Sequence, residues 1–149
     1  KTGIWAHSNG GQIALSVLAI SGVKYPTALW APVSKPFPYS ILYFTDEFDD
    51  EGRALRKVVA DFESEYDVFE YSPPRYYSLI HAPLQLHQGT IDDAVPVEWT
   101  EELERELLDL EKEVELFIYP GGDHNLAGPS WSTAMIRSRE FIFDNFPDE

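Results

Sequence analysis

The sequence predicts an α/β protein, a parallel sheet of about four strands with helices on both faces. Two observations carry that prediction. Four short apolar runs, Thr2–Ala6, Thr27–Ala31, Pro83–His87 and Val114–Tyr119, are separated by helical patterns, the rhythm of strand and crossover that builds a parallel sheet. Three of the runs also empty directly into turns rich in glycine, acid or small residues, where chemistry on such sheets is held.

The first run ends in Ala6-His7-Ser8-Asn9-Gly10-Gly11 and is followed by a helix from about Asn9 to Ser21. Ile13, Ala14, Leu15, Val17, Leu18 and Ile20 make that helix apolar on nearly all sides, so it is expected to be buried. Thr27–Ala31 reads as the next strand, stopped by Pro32 and then by Pro36 and Pro38. From about 36 to 77 the rhythm breaks into a segment dense in aromatics, from Phe37 and Tyr39 through Phe62 and Tyr66 to Tyr76 and Tyr77. An insert of this length between strands reads as a lid. Its clear helix begins near Asp49 or Asp50 and carries Leu55, Val58, Val59 and Phe62 on one stripe. Either that stripe packs on the sheet, or the aromatics wall a pocket above Ser8. Two more amphipathic helices follow, one with Trp99, Leu103, Leu107 and Leu110 on a face, the other, after Pro129-Ser130, with Trp131, Ala134, Met135, Ser138 and Ile142. With no repeat, low-complexity tract or linker, the simplest organisation is one domain over 1–149 with the insert inside it.

Composition narrows the functions. With 149 residues, 44% of them apolar, the chain can bury a real core. A net charge of −15 repels phosphate backbones and anionic lipid surfaces, so neither nucleic acid nor membrane is expected as a partner. No apolar run approaches the ~20 residues of a spanning helix. The opening Lys1-Thr2-Gly3 is neither a signal peptide nor an initiator methionine, which points to a trimmed or excerpted chain. The absence of cysteine excludes a thiol nucleophile and leaves the compartment open, with the cytoplasm as the default.

The sharpest chemical signal is Ser8. A serine at the tip of a tight strand-to-helix turn needs small neighbours two positions away on either side, and Ala6 and Gly10 meet that need. The helix start places free N–H groups, with Asn9 the nearest, where negative charge develops in acyl transfer. The bland alternative is a tight βα turn with no chemistry. An acidic turn, Gln88-Gly89-Thr90-Ile91-Asp92-Asp93-Ala94-Val95-Pro96, follows the third strand, and Pro120-Gly121-Gly122-Asp123-His124-Asn125 follows the fourth. Ser, then Asp, then His, each just after a strand, is the chain order of one serine-hydrolase architecture and not of the chymotrypsin or subtilisin arrangements. His7, His81 and His87 are weaker candidates, His7 reading as a packed flank of Ser8. None lies at a metal-ligand spacing, so neither a metal nor another cofactor is expected. The acidic cluster of Asp46, Glu47, Asp49, Asp50 and Glu51 lacks the pattern of a calcium loop and reads as solvated charge.

On these three motifs the chain resembles the C-terminal half of an α/β-hydrolase of the prolyl oligopeptidase-like and dienelactone hydrolase-like kind. The resemblance implies Ser8 as nucleophile, Asp92 as the acid that orients the histidine, His124 as general base and the Asn9 backbone N–H as an oxyanion donor. Asp93 competes with Asp92, its plainer role being a solvent-facing turn residue or a cap. Ala6 stands where the family's turn usually has glycine. The expected activity is a serine hydrolase cleaving small carboxylic esters through an acyl-enzyme, with an exopeptidase of the prolyl oligopeptidase type as the first alternative. A non-catalytic half-domain is the second. In the family fold the strand before the nucleophile lies mid-sheet and the second oxyanion N–H comes from an upstream loop. The first strand is therefore expected at an open edge, pairing with a second copy of the chain or with a missing N-terminal half.

Overall fold

Four strands, β1 (Ile4–His7), β2 (Thr27–Trp30), β3 (Leu84–Gly89) and β4 (Val114–Tyr119), lie side by side in chain order, every pair parallel. The computed structural model describes residues 1–146. Parallel neighbours cannot be joined by a tight turn, so each step along the sheet needs a crossover. Helix α1 (Asn9–Ser21) supplies the first, and α4 (Val97–Asp109) the last. Helix α5 (Pro129–Asp144) follows β4.

The inner strands β2 and β3 are buried along their whole length, whereas β1 and β4 at the edges are only partly covered. Alternation along the strands sorts side chains between two faces. Ala6, Leu29, Leu84 and Leu86 meet Leu15 and Leu18 of α1 and Leu103 and Leu107 of α4 in the main apolar core. The other face is built around Trp30, Tyr119, Leu126 and Ala134. On that face His7, Trp30, His87 and Phe117 occupy one row across the four strands. Helices on both faces of a parallel sheet are what the strand and crossover rhythm predicts.

His87 is wholly buried in the second face. Its Nδ1 lies 2.8 Å from the Tyr119 hydroxyl, and its Nε2 lies 2.7 Å from Gln85 Oε1 and 3.0 Å from Ser138 Oγ. The Trp30 indole N–H donates to the same serine at 2.9 Å. Burial, with a smaller contribution from the Arg137 guanidinium, pulls the His87 imidazole down to about 3, so the ring is neutral at ordinary pH. Neutral imidazole has one donor and one acceptor: Nε2–H donates to Gln85, and Nδ1 accepts from Tyr119. Burial pushes the Tyr119 phenol up against the opposing pull of Arg137, which keeps its O–H available as that donor.

Three expectations about faces are corrected. Helix α1 is not buried all round: Gly11, Ala14, Leu15, Leu18 and Ala19 are inside, while Ile13, Val17 and Ile20 are exposed. Nothing among the described residues covers that outer stripe. Helix α5 buries Ala134 and Ser138 as expected, the serine meeting the His87 and Trp30 groups, and adds Phe141, but Trp131 and Met135 of the same expected face are exposed. Val58, placed on a buried stripe by its spacing, faces outward, while Val59 is inside.

The chain divides into two compact units, residues 1–34 with the stretch that begins at Tyr76, and residues 35–75. The second unit holds α2 (Tyr39–Leu42) and α3 (Arg53–Glu63). Phe62 of α3 packs against the rings of Phe37, Tyr66 and Tyr71. Asp50 accepts from the N–H groups of Gly52 and Ala54 at the start of α3, and Asp46 pairs with Arg56 at 3.2 Å. Those two acids therefore hold a helix end and an arginine rather than serving only as solvated charge.

Candidate active site

Ser8 follows β1 directly and precedes α1. Its backbone sits at φ 56° and ψ −124°, a conformation that a residue with a side chain adopts only when the surroundings enforce it. The enforcement is visible in hydrogen bonds: Ser8 N donates to the Trp30 carbonyl at 2.9 Å, and its own carbonyl accepts from Gly11 N at 2.9 Å and Val33 N at 3.1 Å. A Cβ on Gly11 would lie 2.5 Å from Pro32 Cβ. A Cβ on Gly10 would meet only Ala6 Cβ, at an ordinary 3.7 Å. The tight contact thus falls one residue later than the sequence suggests. The Ser8 hydroxyl does not cap α1, and among the described residues it makes no hydrogen bond. Asn9 opens the helix, so its N–H has no partner within α1.

Asp92 stands in the turn after β3. Its side chain is fully buried, and each oxygen is saturated with donors. Oδ1 accepts from the backbone N–H groups of Ala94 at 2.9 Å and Val95 at 2.8 Å, and Oδ2 accepts from the Gln88 amide at 2.9 Å. His124 Nδ1 lies 3.0 and 2.9 Å from the two oxygens, and its side chain is 18% exposed. Asp93, the neighbouring acid, is exposed. The structure therefore brings Asp92 and His124 together and leaves Asp93 outside.

The loops that carry the pair are tied to each other. Ile91 N donates to the Gly122 carbonyl at 3.0 Å, and Gly121 N donates to Thr90 Oγ1 at 2.8 Å. Gly89 has to lack a side chain, since a Cβ there would overlap the Gly122 carbonyl. The histidine loop is also held from the other side: His7 Nε2 lies 2.9 Å from the His124 carbonyl oxygen, and the two imidazoles approach to 4.5 Å between centroids. His7 is thus more than a packed flank of Ser8. The sequence does not point to Gln88 beside Asp92, nor to this tether made by His7. The only signal for Gln88 is its place at the end of β3, four residues before the acid. His87 and His81 take no part in these contacts; His87 is bonded within the core to Tyr119, Gln85 and Ser138. Among the described residues no cluster of histidine, aspartate and glutamate could hold a metal ion. No helix among them is long and apolar enough to cross a membrane.

A parallel sheet whose first strand breaks into a strained serine and whose next loops present a paired acid and histidine has the α/β-hydrolase architecture. Solved structures bear this out. Dipeptidyl peptidase 4 of Porphyromonas gingivalis superposes on 97% of the chain with a TM-score of 0.75 at 24% identity, and a puromycin-hydrolysing peptidase of Mycobacterium tuberculosis on 99% with a TM-score of 0.72 at 21%. Within that class the chain belongs to the prolyl oligopeptidase family, whose sequence model matches residues 1–144. A curated relative, the uncharacterized peptidase YuxL of Bacillus subtilis, is 30% identical over 89 residues, 55% of this chain. The chain spans 14% of that relative's length and 19% and 22% of the two solved chains.

Proposed function

We propose that the chain carries the catalytic triad of a serine peptidase of the prolyl oligopeptidase type. Ser8 is the nucleophile, His124 the general base, Asp92 the acid that orients it, and the Asn9 N–H an oxyanion donor. The observation that supports this best is the buried Asp92 carboxylate bonded to His124 Nδ1 at 2.9 Å. That bond fixes the tautomer with the proton on Nδ1 and leaves Nε2 basic.

In the reaction, Nε2 takes the Ser8 proton as the oxygen attacks the scissile carbonyl. The tetrahedral oxyanion is met by the Asn9 N–H at the helix start, and Nε2–H then protonates the departing amine. Water, deprotonated by the same nitrogen, releases the acid from the acyl-enzyme. Membership of a peptidase family favours an amide over the small ester expected from the sequence, and the three groups would serve either bond.

Labelling the intact protein with a fluorophosphonate tests the triad. A stable adduct on Ser8 that disappears in Ser8→Ala is expected; no adduct at high probe concentration would favour an inert half-domain. Turnover of an aminoacyl anilide above that of an aryl acetate is expected on the peptidase reading. The reverse order would restore the esterase.

A further inference from the structure

We infer that Gln88, backed by Thr100, is a positioning residue that locks the Asp92 carboxylate in the orientation His124 requires; this rests on the triad reading above. Gln88 and Thr100 are both wholly buried, on β3 and α4. The Thr100 hydroxyl donates to Gln88 Oε1 at 2.7 Å. The amide's orientation is set by the groups at its other end, a carboxylate and a carbonyl that can only accept and so require the NH2 group, while the threonine hydroxyl, able to donate, holds the oxygen end in place. The NH2 group then faces Asp92 Oδ2 at 2.9 Å and the Val95 carbonyl at 3.2 Å.

With the amide turned the other way, a carbonyl oxygen would face a buried carboxylate, two acceptors with no proton between them. The threonine therefore acts on the acid through the glutamine. Thr100, Gln88, Asp92 and His124 form one chain of donors and acceptors that starts in helix α4 and ends at the imidazole. Backbone N–H groups already hold Oδ1. Among the described residues Oδ2 is met by Gln88 and His124, so without the glutamine that oxygen keeps only the imidazole and the carboxylate is held less firmly in plane.

A hydrogen bond to a charged group in such a site is worth enough that losing it lowers turnover about tenfold or more. Gln88→Leu in the intact protein is expected to lower kcat by that factor with KM within about twofold. It should also broaden or shift upfield the far-downfield proton resonance of His124 Nδ1–H. Thr100→Val is expected to give the same signature in smaller measure, and Thr100→Ser, which keeps the hydroxyl, to restore both. The threonine pair decides the matter if Gln88→Leu does not fold. Wild-type kcat and an unmoved resonance in Gln88→Leu or Thr100→Val, with Asp92→Asn inactive, would overturn the positioning role while the triad stands. Full activity in Asp92→Asn would overturn the triad and this inference with it.

Discussion

At the scale of single residues, the site rests on side chains that are absent as much as on those present. In the turns that carry the site, a methyl group at Gly89 or Gly11 has nowhere to go, against the Gly122 carbonyl and Pro32. Gly11→Ala and Gly89→Ala are each expected to lower the thermal midpoint sharply, by the equivalent of about 1–3 kcal/mol of overpacking. Gly10→Ala is expected to leave it within experimental scatter. Equal effects at Gly10 and Gly11 would contradict the packing described for the turn. The acids make a second contrast: Asp92→Asn is expected to cut kcat by about 10³–10⁴, by analogy with the chymotrypsin change of the same kind, and Asp93→Asn to leave it within twofold. Ser8, Asp92 and His124 stand out in the sequence because each follows a strand, and of the three the structure joins Asp92 to His124. Spacing could not reach Gln88 or His7, whose importance lies in contacts with residues far off in the chain.

At the scale of elements, the sheet was readable because apolar runs and crossovers have different periods. The errors fall on which apolar side chains an amphipathic face covers. Ser138 and Ala134 lie inside as the spacing of α5 places them, whereas Trp131 and Met135 on the same spacing stay exposed and Phe141 is buried instead. Helix α1, apolar on nearly all sides in sequence, is covered on one side only among the described residues, with Ile13, Val17 and Ile20 exposed. The polar layer under α5 has a consequence for acid stability. Below its usual 6.5 the His87 imidazole of the unfolded chain takes up a proton, while the folded protein refuses it down to about 3. The unfolded state therefore binds more protons in that window, and stability falls with pH by about 1.4 kcal/mol per unit from this group. His87→Asn is expected to be less stable at neutral pH yet to show a shallower decline between pH 6 and 4. Chemical denaturation at several pH values measures this, and parallel slopes for the two proteins would refute it.

At the scale of the whole molecule, β1 ends the sheet among the described residues, with no strand paired along its outer side, and carries a Trp5 that is 48% exposed. Ile13 and Ile20 of α1 are 65% and 84% exposed. We propose that these surfaces draw a partner, a second copy or further protein. The net charge of −15 opposes like-with-like contact, so association of the 149-residue chain should strengthen as salt screens it. Sedimentation velocity is expected to show salt-promoted self-association that weakens in the double variant Ile13→Glu, Ile20→Glu. A strictly monomeric chain at high concentration and high salt would sink the idea of self-pairing.

The knot between the turns after β3 and β4 bears on how the machinery fails. On the proposed triad, Asp92 and His124 follow adjacent strands and their loops are laced together by Ile91, Gly121 and Thr90, whereas Ser8 follows β1, with β2 between it and the strand of Asp92. Warming that loosens the outer edge of the sheet should thus separate nucleophile from imidazole long before it separates imidazole from carboxylate. Inactivation would then precede unfolding, leaving an intact dyad with nothing to deprotonate.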